Sequence, residues 1–288
     1  VDNLKQSAAS QSQRAATPVK TKTPIVLTVA GSDSGGGAGI QADIKTISAT
    51  GSYACTVITA LTAQNTLGVT GVLPIEQAFI EQQFAAVFSD IEVDVVKIGM
   101  LGDAATIKTV ATALKKHPVK HIVLDPVMVA TSGDLLLASE AISSLISELL
   151  PLATVITPNI PEALALLGKD PSQPVEDGWQ LCRELLELGC QSVLVKGGHL
   201  TGASSSDYWL SPSQQQNFSS ARIETKNTHG TGCTLSSAIA SYMAQGQGLA
   251  CAIGSAKDYI SEAIKQADQL HIGSGCGPVH HFYAQPKR

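Results

Sequence analysis

Short, mostly apolar runs that end on a glycine or a polar residue alternate along this chain with longer segments whose apolar residues recur every three or four positions. Residues 25–30 lead into Gly31, 93–98 into Gly99, 121–124 into Asp125, 154–156 into Thr157 and 192–195 into Lys196. Between them, three groups mark amphipathic helices: Ile40, Ile44 and Ile47; Ile75, Phe79, Ile80, Phe84 and Val87; and Ile107, Val110, Ala111 and Leu114. Segments 141–150 and 179–188 read the same way. Strands and helices in turn demand right-handed crossovers, which predicts an α/β fold with a mainly parallel central sheet flanked by helices on both faces. The texture changes further on. Residues 208–210 and 222–225 predict an antiparallel pair joined by the polar stretch 211–220, and two long helices follow over 231–244 and 249–270. No repeat or linker interrupts residues 24–288, so one domain is expected there. Residues 1–23, rich in Ser, Ala, Gln, Thr and Lys, read as a disordered leader without the apolar core of a secretory signal.

Only 15% of the 288 residues are charged, which suits strands buried on both faces. The net charge of -5 argues against a nucleic-acid partner. No apolar run reaches the ~20 residues that span a bilayer, so no membrane partner is expected. The six cysteines form no Cys-x-x-Cys pair and read as reduced thiols of a cytoplasmic chain.

In open α/β sheets ligands bind beyond the carboxyl ends of the strands. Residues 31–39 form a glycine-rich loop that matches neither the dinucleotide fingerprint nor the Walker A pattern. It is either a turn or a place where backbone amides approach a ligand. Residues 227–233 are more specific: Gly230 and Gly232 bracket Thr231 just before the helical pattern Leu235, Ile239 and Met243. Such a helix start turns its amides and the positive end of its dipole toward one point, where a phosphoryl group can sit. An ordinary glycine-capped helix start is the plain alternative. Cys233 lies in that first turn, where a helix N-terminus is expected to lower a thiol pKa and make it a proton acceptor; a packed, inert thiol is the alternative. Asp125 and the pair Asn159 and Glu162 sit at strand ends, suited either to Mg²⁺ held through water or to helix capping. Lys196 can place an ammonium on a nucleotide phosphate. Cys276, His280 and His281 read as a polar tail.

These residues closely resemble those of the hydroxymethylpyrimidine/phosphomethylpyrimidine kinases, a thiamine-biosynthesis branch of the ribokinase superfamily. The likeness is carried by residues 30–33 and 36–43, 58–66, 97–101, 157–162, 196–199, 227–234 and 277–281 in order, covering about residues 25 to 283. It implies a ribokinase-like fold, MgATP as donor, an aminopyrimidine substrate phosphorylated twice, and a homodimer. Cys233 then stands where the superfamily usually has a catalytic aspartate, with Gly230, Thr231 and Gly232 as the anion hole. Gln64 reads the aminopyrimidine edge, and Ala38, Asp43 and Met100 line the same pocket. Asn159, Asp125 and Lys196 would serve the nucleotide, and Glu162 with Asp125 the metal. Ser34-Gly35 departs from the Pro-Ser frequent in the family. A pyridoxal or pyridoxine kinase of the same superfamily is the alternative activity, and a non-catalytic ligand-binding domain the remote one.

Overall fold

Ile25–Asp33 is apolar along most of its length and forms strand β1 in the interior of a sheet covered on both faces, so it needs no polar alternation. The computed structural model describes residues 22–128, 139–197 and 204–285, which build one nine-stranded sheet. β1 pairs in parallel with β2 (Tyr53–Asn65) on one side and β4 (Val95–Ile98) on the other. In chain order, β3 (Gly68–Pro74) lies antiparallel on β2 at one edge, and β5 (His121–Leu124), β6 (Val155–Ile156) and β7 (Val193–Val195) extend the parallel part. β8 (Ser204–Leu210) and β9 (Gln215–Ala221) close the other edge as an antiparallel pair.

Alternate residues of the strands serve two cores. Leu27, Val29, Ile98, Leu124, Ile156 and Val195 pack beneath α2 (Gln77–Phe88), α3 (Ala104–Lys116), α4 (Ser139–Ser144), α5 (Ile160–Leu166) and α6 (Gly178–Leu186). Val26, Val95, Val123, Val155 and Leu194 meet α1 (Gly39–Ala49), α7 (Thr231–Ala244) and α8 (Leu249–Lys265). Each fully buried aliphatic side chain contributes roughly 1.5–3 kcal/mol. Thr28 and Lys97 share the second face, and both are fully buried. α4 runs on through a wide turn at Leu145–Leu149 and a tight one at Leu150–Leu152.

The structure differs from the sequence reading at four places. β2 and β3 occupy a stretch in which no strand was expected. The last strand is Gln215–Ala221, almost wholly inside the presumed polar connection, while residues 222–225 belong to no strand. As an edge strand it buries only Phe218, so its polar composition concealed it. The final helix stops at Lys265 and is followed by a tight turn, Ala267–Gln269. The expected polar tail is folded in, with Val279 at 0% and His281 at 5% exposure. Residues 1–21 of the leader, and Gly198 and His199 after β7, lie outside the described residues. Among the described residues no helix is long and apolar enough to cross a membrane.

Candidate active site

The start of α7 is built by one glycine that nothing else can replace. Gly230 has φ 78°, and a Cβ there would lie 1.9 Å from the Gly37 carbonyl oxygen. The chain thus turns sharply against the loop after β1, and Thr231 Oγ1 closes the turn by donating to the Thr228 carbonyl at 2.6 Å. The first-turn amides of α7 find no partner within the helix, and its dipole adds positive potential there. α1 begins beside it: the Gly39 amide is directed at the Cys233 sulfur, so two helix starts flank one half-buried thiol.

Cys233 does not have the lowered pKa expected of a helix start. Burial pushes the thiol up to about 11; Lys97 opposes the rise most strongly, while Asp43 and Asp125 add to it. Desolvation of the thiolate outweighs the favourable helix end.

The glycine loop is organised from within. Asp33 Oδ1 accepts from the Gly35 amide at 2.8 Å, and Oδ2 from the amides of Gly37 (2.9 Å) and Ala38 (2.8 Å). His229 Nε2 lies 3.1 Å from the same Oδ2. Burial alone would raise the Asp33 pKa, but these donors hold it below its usual range. The loop amides therefore converge on a carboxylate of the protein. Ser34 Oγ accepts from the Gln64 amide and donates to its carbonyl, both at 2.8 Å, a pairing that proline could not make.

Gln64, Ala38 and Met100 line one end of a cavity of about 830 Å³. Thr62 Oγ1 donates to Gln64 Oε1 at 3.0 Å, and Gln64 Nε2 lies 3.4 Å from His229 Nε2. Asp43 is not part of this lining. It is fully buried behind the wall, bound by Lys97, Thr28 and Ser237.

Asp125, Asn159, Glu162 and Lys196 converge at the other end, across the α7 start. Lys196 Nζ is 2.9 Å from Asp125 Oδ1 and 3.8 Å from Glu162 Oε2. Asn159 and Glu162 form a reciprocal capping box at α5, so the capping reading of these residues holds alongside their place in the cavity. A Cβ at Gly232 would stand 3.2 Å from Lys196 Nζ and 3.6 Å from Asp125 Oδ2, which places the helix start against this cluster. Burial opposes ionisation of Asp125, but Lys196 and Lys97 outweigh it and hold the carboxyl below its usual range. Glu162 is pushed the other way, to about 7, by burial and by Asp125, against the pull of Lys196. Two carboxylates facing one ammonium leave room for another positive charge. Among the described residues no cluster of three or more His, Cys, Asp or Glu stands ready to grip a bare ion. Such a donor set suits a hydrated magnesium that also binds phosphate.

The model of the family described as "Phosphomethylpyrimidine kinase" matches residues 33–280 of this chain. The chain belongs to that family. It is 50% identical over 258 residues to the hydroxymethylpyrimidine/phosphomethylpyrimidine kinase of Salmonella typhimurium, covering 90% of this chain and 97% of that one. The enzyme of the same description from Rhizobium meliloti is 50% identical over 91% of this chain and 98% of its own. Among solved structures, the ADP complex of Bacillus subtilis pyridoxal kinase superposes with TM-score 0.83 at 36% identity, covering 90% of this chain and 98% of that one. The phosphomethylpyrimidine kinase of Clostridium difficile superposes with TM-score 0.74 at 46% identity, covering 84% and 100%. The fold of this family member is thus ribokinase-like.

Sequence reasoning gave no individual role to Asp33, Lys97, Ser236 or Ser237. Ser236 Oγ lies 3.2 Å from Asp125 Oδ2, and Ser237 Oγ donates to Asp43 Oδ1 at 2.7 Å. One signal was available: a lysine inside the apolar strand Val95–Ile98 can be buried only with a carboxylate beside it.

Proposed function

We propose that this phosphotransferase moves the γ-phosphoryl group of ATP onto the hydroxymethyl oxygen of 4-amino-5-hydroxymethyl-2-methylpyrimidine, and then phosphorylates the product to its diphosphate, in thiamine biosynthesis. The observation that carries this reading is one continuous cavity joining Gln64 to Lys196 across the start of α7. Gln64 supplies a donor and an acceptor on one amide, which matches the edge of an aminopyrimidine. Lys196 and Asn159 bind nucleotide phosphate. Glu162 and Asp125 would hold Mg²⁺ through water; when bound, the ion neutralises charge on the phosphates. Gly230, Thr231 and Gly232 present amides to the phosphoryl group in transfer. Phosphoryl transfer depends mainly on such positioning and charge stabilisation.

Cys233 accepts the hydroxyl proton in the first step. The second step attacks with a phosphate oxygen that is already ionised, so it needs no base. The assembly we propose is a homodimer: β3 is the outer strand of the sheet, and Leu73 (62%) and Phe79 (55%) near it are exposed.

Pyridoxal kinase is the second reading, favoured by the fold match at 36% identity; the 50% matches favour the pyrimidine. Supplying each vitamer with ATP separates them. A pyrimidine diphosphate is expected, and pyridoxal turnover with no phosphorylated pyrimidine would overturn the assignment.

A further inference from the structure

Behind the cavity wall lies an ion pair that the chemistry above leaves unused. Lys97 Nζ is 2.9 Å from both oxygens of Asp43, and both side chains have zero exposure. Thr28 Oγ1 donates to Asp43 Oδ2 at 2.5 Å and Ser237 Oγ to Oδ1 at 2.7 Å. Removing two charges from water is costly, and an apolar pair of similar volume commonly serves stability as well. Stability of the fold alone therefore gives weak reason for this pair.

Its placement supplies a stronger one. α1 and α7 run side by side. Gly39 faces Cys233, Asp43 bonds Ser237 one turn further along, and Thr50 Oγ1 bonds Ser241 Oγ at 2.7 Å beyond that. Cys233 and Ser237 are four residues apart and share a helix face. The ammonium is thus fixed one turn behind the sulfur, at a station set by two helices and β4. We propose that Lys97 is a positioning residue for the first phosphorylation: held by Asp43, its fixed charge favours the Cys233 thiolate that takes the hydroxyl proton.

The proton balance is simple. The substrate O–H bond breaks, the oxygen bonds the γ-phosphorus as ADP leaves, and the proton ends on the Cys233 sulfur, from which it returns to water. The charged groups that act on the thiol are Lys97 from β4, Asp43 from α1, Asp125 after β5 and Lys196 after β7. Lys97 is the strongest of those favouring the ionised form, and it stays charged because Asp43, Cys233 and Asp125 together outweigh its burial.

The inference rests on the reading of Cys233 as the base, and the test separates the two. Full-length wild type, Lys97→Met, Lys97→Met/Asp43→Asn and Cys233→Ala are compared in both phosphorylations, after thermal melts identify the folded variants. The double variant removes both charges together and so avoids an unpaired buried carboxylate. A neighbouring opposite charge shifts a pKa by about one unit or more, so the first step is expected to slow roughly 10-fold in Lys97→Met and by a smaller factor in the double variant, where the opposing charge of Asp43 is lost as well. Iodoacetamide alkylation of Cys233, read by mass spectrometry at one alkaline pH, slows with it, while the second phosphorylation stays within about 2-fold. A merely structural role would depress both steps together and leave alkylation unchanged; that result, or an unchanged first step, overturns the proposal. If Cys233→Ala performs the first step at the wild-type rate, the base reading itself falls.

Discussion

Glu162 is held in a proton-binding state by its surroundings. A carboxyl whose folded pKa is raised contributes stability that is complete below its usual value of 4.5 and is lost as pH climbs through about 7. The whole swing is on the order of 3 kcal/mol, at about 1.4 kcal/mol per unit. Glu162→Gln keeps the capping box, so its melting temperature is expected to stay level from about pH 5 to about pH 8 while the wild type declines. Mg²⁺ with a nucleotide should restore the wild type at the upper pH, and a parallel decline in both proteins would refute the assignment. Cys233→Ala should slow the first phosphorylation by roughly 10²-fold with little change in KM, and leave the second step near its original rate. With the wild-type thiol at about 11, the first step should also accelerate as pH rises through the alkaline range. Gly230, Cys233 and Glu162 could be singled out because their signals are local, whereas Gln64 came only through the family resemblance. The direction of the Cys233 shift was not legible, since it depends on how deeply strands and helices from distant parts of the chain enclose the sulfur.

At the level of elements, two helix starts determine the site. Gly230→Ala would have to place a Cβ at positive φ against the Gly37 carbonyl, a strain of roughly 1–3 kcal/mol. Both phosphorylations should fall together with the melting temperature, which distinguishes this change from Cys233→Ala. Asn159→Ala removes the α5 cap and should cost about 1 kcal/mol in a denaturant titration. Most helices and inner strands were readable from periodicity, because their buried faces are mostly apolar. β2 was missed because its thirteen residues, with Thr and Ala throughout, show neither strict alternation nor a continuous apolar run. β9 was displaced for the opposite reason: a polar edge strand with one inward phenylalanine looks like a loop.

For the whole molecule, the sheet edge at β3 sets the expected assembly. Leu73→Lys on the wild-type background should convert a dimer to a monomer in sedimentation, with the fold retained by circular dichroism; a wild type that sediments as a monomer would refute the dimer. The contacts between α1 and α7 carry a different consequence. Asp43 and Ser237 are separated by 194 positions, and Thr50 and Ser241 by 191. Contacts of such span close late, because the loop entropy must be met before they form. During synthesis, the strand bearing Lys97 leaves the ribosome long before the helix that covers it. Until residues 231–244 arrive, the lysine and its carboxylate stand in water and the thiol has no place. Catalytic competence is therefore the last property the nascent chain acquires, and a truncation anywhere before α7 yields protein without even a partial activity.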